Sequence, residues 1–188
     1  LIIAQNNPKA TVDGIEIDAD SAAQASANFE ESPFHDRLTV IHQAVQTYAE
    51  ENEGNYDLLV CNPPFFTGGT LSEIGGRNAA RHTVKLPHAD LIHAARKLLY
   101  DQGRLSLILP TIEGLRFEVL AKSYGFFARK ITEVFSKPNK PVERLLMSFS
   151  KHQGNIERDS ITIQKDSQLR NDWTEEYKSL TQDFYLNL

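Results

Sequence analysis

Tyr56-Asp57-Leu58-Leu59-Val60-Cys61-Asn62-Pro63-Pro64-Phe65-Phe66 is a short apolar run stopped by two prolines and followed by two aromatic rings. The first six residues have the length and composition of a buried β-strand. Neither proline offers an N–H to a sheet ladder, so the strand ends there. Asn62 is held toward an extended backbone by the proline after it. The product is a stiff loop that presents one amide, two free carbonyls and an aromatic ring at the carboxyl end of a strand.

Outward from this loop, strand-like runs alternate with helical patterns, which predicts a parallel sheet covered by helices. Upstream, residues 11–17 read as a strand ending in acids, then a helix capped by Asp18 or Asp20 with Ala22, Ala25 and Phe29 on one face. Residues 38–42 read as a second strand, followed by a weakly helical segment over 45–52. Downstream, Pro87 opens a helix through about Tyr100, Asp101-Gln102-Gly103 reads as a turn, and 104–109 as a strand. A helix over 111–124 ends at Gly125. Strands over 129–135 and 143–150 flank Lys137-Pro138-Asn139-Lys140-Pro141, a connection so short that the pair must be antiparallel. A short strand over 160–164 and a helix bearing Trp173, Tyr177, Leu180 and Phe184 complete the chain. The expected fold is α/β, one mostly parallel sheet with an antiparallel final hairpin, in a single domain over 1–188. Such sheets bind ligands beyond the carboxyl ends of their strands, where the Asn-Pro-Pro loop sits.

The 188 residues suffice for a domain with a real core, and 40% hydrophobic with 24% charged residues is the balance of a globular protein. No apolar run approaches the roughly 20 residues that cross a bilayer. Cys61, the single cysteine, cannot form an internal disulfide, which fits a reducing cytoplasm. His82, His88 and His93 have spacings that match no helical ligand pair, so no metal is expected. The net charge of −5 does not advertise a nucleic-acid binder, but the cations are clustered. Arg77, Arg81, Lys85, Arg96, Lys97 and Arg104 face only Asp90 and Asp101 in 77–104; Lys137, Lys140, Arg144 and Lys151 enclose one acid, Glu143. Taken alone, these clusters read as solvated faces.

One chemistry, methylation of an amino nitrogen, would explain the loop's residue types. An exocyclic amino group on adenine is a poor nucleophile because its lone pair is delocalised into the ring. If the Asn62 side-chain oxygen and the Pro63 carbonyl each accept one N–H, the nitrogen is drawn toward a pyramidal form. Its lone pair is then free to attack a sulfonium methyl. Phe65 would stack on the base and hold it in line. Cys61 reads as packing rather than as a nucleophile.

Asn62-Pro63-Pro64-Phe65 resembles motif IV of the amino-methyltransferases, and the element order resembles the Rossmann-like methyltransferase fold. Three stretches are similar to the tRNA1(Val) (adenine-37-N6)-methyltransferase family in particular. They are Asn62-Pro63-Pro64-Phe65-Phe66 with Gly68-Gly69, Ala80-Arg81-His82-Thr83, and Leu180-Thr181-Gln182-Asp183-Phe184-Tyr185-Leu186. The resemblance implies S-adenosylmethionine as cofactor, N6-methylation of an adenine in the tRNA anticodon loop, and catalytic roles for Asn62, Pro63 and Phe65. It also implies that Glu16 holds the cofactor's ribose hydroxyls, that backbone N–H of Ala44 or Val45 meets its adenine, and that Asn62 borders it. Val45 stands where the family often has an acid. Asp18 reads as a helix cap, not a ligand. Pro64, Phe66, Arg81, Lys137, Lys140 and Arg144 are the expected RNA contacts. The family's first strand and glycine-rich loop have no counterpart: Leu1-Ile2-Ile3-Ala4-Gln5 reads as the end of a helix closed by Asn6-Asn7-Pro8, so an N-terminally incomplete domain is expected. Three alternatives stay open: N5-methylation of a release-factor glutamine, another amino-methyltransferase acting on ribosomal RNA or DNA, and a non-catalytic RNA-binding remnant.

Overall fold

The computed structural model describes residues 1–64, 86–167, 169 and 171–185. The chain forms two compact units, Leu1–Glu53 and Gly54–Leu188.

In the first unit a short helix α1 (Ile2–Asn6) precedes strand β1 (Val12–Glu16), helix α2 (Ala19–Glu30), a 3-10 turn (His35–Arg37), strand β2 (Leu38–His42) and helix α3 (Val45–Glu51). β1 and β2 pair in parallel with Glu16 opposite His42, so both carboxyl ends share one edge. Asp18 caps α2, its side chain accepting from the Ser21 N–H at 2.9 Å. Arg37 donates to the carbonyls of Ala4, Asn7 and Ala10 at 3.1, 3.1 and 2.7 Å, tying α1 and the turn after it to β2. These are charge-assisted bonds to carbonyls of the end of α1 and of the turn that follows it.

The second unit contains strand β3 (Tyr56–Cys61), helix α4 (His88–Leu98), strand β4 (Leu99–Pro110), helix α5 (Thr111–Ser123), strands β5 (Phe127–Phe135), β6 (Val142–Ser150) and β7 (Glu157–Thr162), and helix α6 (Glu175–Thr181). The sheet order is β3-β4-β6-β5-β7. β3 is parallel to β4 and β7 to β5, while β6 runs against both β4 and β5. Hence β3, β4, β5 and β7 all end at one edge of the sheet, called the mouth below, where β6 begins. Leu59, Cys61, Leu105, Leu107, Leu109, Leu145, Met147 and Phe149 share the face covered by α4 and α5, and most of them are fully buried. Within this core the Phe149 ring meets Phe117 edge-on at 5.2 Å between centroids and stacks on Phe126 at 6.1 Å. Gly114 lets α5 lie close to the sheet, since a Cβ there would stand 3.0 Å from Leu145 Cδ1. Gly125 ends the helix in the left-handed region, φ 65°.

Three expectations need correction. Asp101-Gln102-Gly103 is not a turn: α4 stops at Leu98 and β4 is already extended from Leu99, which pairs with Tyr56 and is fully buried. Burial of Leu99 and the bond from Lys151 Nζ to its carbonyl at 2.7 Å outweigh the turn propensity of the three residues after it. The last strand begins three residues earlier than expected, at Glu157, where the parallel ladder with Lys130 of β5 starts, and Lys130 also binds Glu157 and Asp159 at 2.8 Å each. The last helix is shorter, and Trp173 precedes it in a bridge with Gln164.

Candidate active site

Asn62 is the first residue past the β3–β4 ladder, whose last pair is Cys61 with Leu107. It is exposed, Pro64 is exposed, and Pro63 between them is under 2% accessible. The buried ring anchors the loop while the residues on either side face outward. Cys61 points into the core beneath it, and burial pushes its thiol up to about 11, so it is protonated and unreactive at neutral pH. Phe65, Phe66 and Arg81 lie outside the described residues.

The same edge of the sheet carries the basic hairpin between β5 and β6. Lys137 donates to the Ser167 carbonyl at 3.3 Å, Asn139 turns the chain at φ 64°, and Lys140 is exposed. Arg144 lies between Pro110 of β4 and Val134 of β5. Asn62, Pro63 and Pro64 are thus brought to one edge with Lys137, Lys140 and Arg144. Sequence patterns placed the hairpin but not its edge; the orientation follows only from the register of β6 against β4.

At the start of α5, Glu113 is buried and receives Arg116 Nη1 at 2.7 Å. At the start of α4, the His88 ring meets the edge of Phe117 at 5.2 Å. Burial lowers the His88 pKa, opposed in part by the charge of Glu113. Neither residue was singled out for such a role in the sequence, because a buried acid inside a helix carries no periodic signal. Among the described residues no group of three or more His, Cys, Asp or Glu could hold a metal ion, and no helix is long and apolar enough to cross a membrane.

In the first unit, Glu16 sits at the carboxyl end of β1. Its Oε1 accepts from the backbone N–H of Ile17 and Asp18 at 2.8 and 2.9 Å. Its other oxygen takes no hydrogen bond among the described residues. At the adjoining end of β2, Ala44 caps α3 without a side-chain hydrogen bond, and Val45 opens that helix. A fixed carboxylate with an acceptor to spare, beside a helix start that no side chain closes, fits the ribose hydroxyls and adenine ring of a nucleoside cofactor.

Residues 1–131 match the family model described as Methyltransferase small domain. The chain is 38% identical over its whole length to the tRNA1(Val) (adenine(37)-N6)-methyltransferase of Flavobacterium psychrophilum, covering 79% of that protein. It is 37% identical to the protein of that name in Aliivibrio fischeri and 33% to that in Yersinia pseudotuberculosis, covering all of this chain and 78% and 73% of theirs. Among solved structures, a predicted O-methyltransferase from Agrobacterium tumefaciens superposes with a TM-score of 0.74 at 18% identity, over 96% of this chain and 81% of that one. The antibiotic-resistance methyltransferase Kmr gives 0.54 at 16% identity, over 82% and 81%. The structural likeness establishes the Rossmann-like methyltransferase fold. With a family model matched over residues 1–131 and sequence identity along its whole length, the chain belongs to the tRNA1(Val) (adenine(37)-N6)-methyltransferase family, within the small-domain methyltransferases.

Proposed function

We propose that this protein methylates N6 of an adenine in tRNA, at position 37 in the anticodon loop of tRNA1(Val), with Asn62 and Pro63 as the groups that orient the amino nitrogen. The observation that carries the reading is the anchored, outward-facing Asn62-Pro63-Pro64 turn at the sheet mouth, in a chain 33–38% identical to enzymes of that name. S-adenosylmethionine, when bound, supplies an electrophilic methyl group on a sulfonium. Glu16 would accept the ribose hydroxyls through its spare oxygen, and the N–H groups at Ala44 and Val45 would border the adenine.

The chain's own part in the reaction is positional. Asn62 Oδ1 and the Pro63 carbonyl accept the two amino hydrogens of the target base, which turns the nitrogen lone pair out of the ring plane. Asn62 and Pro63 would thereby hold the nitrogen with its lone pair toward the methyl group that the donor supplies, and the proton the nitrogen sheds would pass to water. No base of shifted pKa is required, which agrees with a mouth whose described catalytic loop has no titratable side chain. Phe65 would stack on the base and Pro64, Phe66 and Arg81 would touch the RNA. Lys137, Lys140 and Arg144 would meet phosphates. A loop base is already unpaired, so bringing it into the mouth costs little. The relatives' names favour tRNA over a release-factor glutamine, and over a non-catalytic remnant.

The test is methylation of a tRNA1(Val) transcript with labelled S-adenosylmethionine, followed by mass mapping of nucleosides. N6-methyladenosine at position 37 is expected. Equal labelling of a transcript with guanosine at position 37, or label only on a release factor, would overturn the assignment.

A further inference from the structure

The carboxyl end of β7 leads into a second surface at the mouth. Past Thr162 the chain keeps pairing with the strand-to-hairpin junction: Ile163 N donates to the Phe135 carbonyl and Gln164 N to the Ser136 carbonyl, both at 2.9 Å. Lys137 Nζ reaches the Ser167 carbonyl from the hairpin side at 3.3 Å. The chain then folds back, with a bridge between Gln164 and Trp173 and a bond from Lys165 N to the Asp172 carbonyl at 2.8 Å. Thr174 fixes the return, its hydroxyl donating to the Thr162 carbonyl at 2.6 Å while also capping α6. This scaffold holds three aromatic rings beside the basic hairpin. Trp173 and Tyr177 lie 5.4 Å apart at 41°, both half-buried, and Tyr185 is 58% exposed. Asp172 and Glu175, which flank Trp173 in sequence, are held by Lys165 at 3.4 and 3.2 Å, and Glu175 also by Lys178 at 3.3 Å.

We propose that Trp173 and Tyr177, with Tyr185 beside them, form a stacking platform for an unpaired nucleotide of the RNA substrate, flanking the base that enters at Asn62. An accessible indole and phenol pair next to exposed lysines is the combination that binds single-stranded nucleic acid: π faces take bases while cations track phosphates. The hairpin that supplies Lys137 and Lys140 is bonded through its start to Ile163 and Gln164, and Gln164 bridges to Trp173, so charge and rings lie on connected segments at one end of the sheet. β3 and β7 are the two edge strands of a five-stranded sheet, four spacings or about 19 Å apart. A single strand crosses that span in a few nucleotides, so the platform grips a neighbour in the loop and not the target base. The proposal rests on the reading of tRNA as substrate and names where its loop is held.

Trp173 is the protein's sole tryptophan, so its fluorescence reports stacking directly. Titrated with a tRNA1(Val) transcript, the emission is expected to be quenched, saturating where methyl transfer saturates; a fully paired RNA hairpin should leave it unchanged. Trp173→Leu and Tyr177→Leu keep apolar bulk but lose the π face, and each should raise KM for tRNA about tenfold. Cofactor affinity and kcat should stay near wild type, and Trp173→Phe should recover most of the loss. If tRNA is methylated with unchanged tryptophan emission, or if the leucine variants keep wild-type KM, the platform is refuted while the substrate reading stands. If wild-type protein neither binds nor methylates tRNA, the substrate reading falls and takes the platform with it. Should a leucine variant fail to fold, the wild-type fluorescence titration still decides.

Discussion

Replacing Asn62 with Ala should separate catalysis from folding more cleanly than any other single change in this protein. Asn62 is exposed, lies one residue beyond the last ladder pair and contributes nothing to the core. Truncating such a surface side chain shifts stability by about 0.5 kcal/mol at most, and in a chain of 188 residues that moves Tm by about 1–2 °C. The catalytic effect is of another size. Losing one preorganised hydrogen-bond partner of a reacting group costs about a hundred- to a thousandfold in rate. Pro63→Ala should show the reverse signature. Its ring is under 2% accessible; losing two methylenes costs about 1.6 kcal/mol. The freer unfolded chain adds about 0.5–1 kcal/mol. Together these lower Tm by about 4–10 °C, while the carbonyl acceptor at residue 63 is retained. The assay is single-turnover methyl transfer at saturating cofactor and tRNA, paired with thermal melts of each variant. Asn62→Ala retaining more than about a tenth of the wild-type rate, or melting as early as Pro63→Ala, would refute the role given to its amide.

Glu16→Ala should weaken S-adenosylmethionine binding by about ten- to a hundredfold through loss of charge-assisted bonds to the ribose, measured by calorimetry; unchanged affinity would remove Glu16 from the cofactor site. Lys137→Ala and Lys140→Ala should each lower the slope of log affinity for tRNA against log salt by about one, read by filter binding over a salt series. His88 carries a pH prediction. Burial lowers its folded-state pKa below the ordinary value of 6.5. The folded state therefore takes up its proton later than the unfolded chain, so the stability linked to His88 is complete above that value and is lost as pH falls through it. His88→Phe, which keeps a ring against Phe117, should flatten the fall in Tm between neutral and mildly acid pH; an identical fall in the variant would contradict this.

The order of elements was legible because periodicity changes sharply between strand and helix. The Asn-Pro-Pro loop was legible because two prolines leave few backbone options. Asp18 as a cap could be read from its place before an alanine-rich helix, and the antiparallel β5–β6 pair from a five-residue connection too short to cross over. Other features had no local signal. Leu99 belongs to β4 because its burial and Lys151 decide the matter, and both partners are distant in sequence. The pairing of β7 with β5 is a parallel ladder that sets buried Ile161 opposite Val134 and brings Lys130 to Glu157 and Asp159, residues 27 and 29 positions away. A sequence reading that grades each segment by its own pattern cannot see that contact.

The same limit explains why charge was a poor guide here. Lys137, Lys140 and Arg144 in a chain of net charge −5 read as an ordinary solvated face. Strand direction changes their meaning. Because β6 opposes β4, the hairpin must sit where β4 ends, and because β3 is parallel to β4, Asn62 ends there too. Because β7 is parallel to β5, the chain carrying Trp173 and Tyr177 emerges at that edge as well. Three segments, each bland or ambiguous alone, are forced into one mouth by three pairings. A single reversal among them would send the lysines or the rings to the far edge of the sheet, about nine strand residues or 30 Å from Asn62. The surface proposed for RNA is therefore a property of the topology, and substitutions that weaken the β5–β7 pairing, such as Ile161→Ala at a buried position opposite Val134, should impair tRNA binding if that proposal holds.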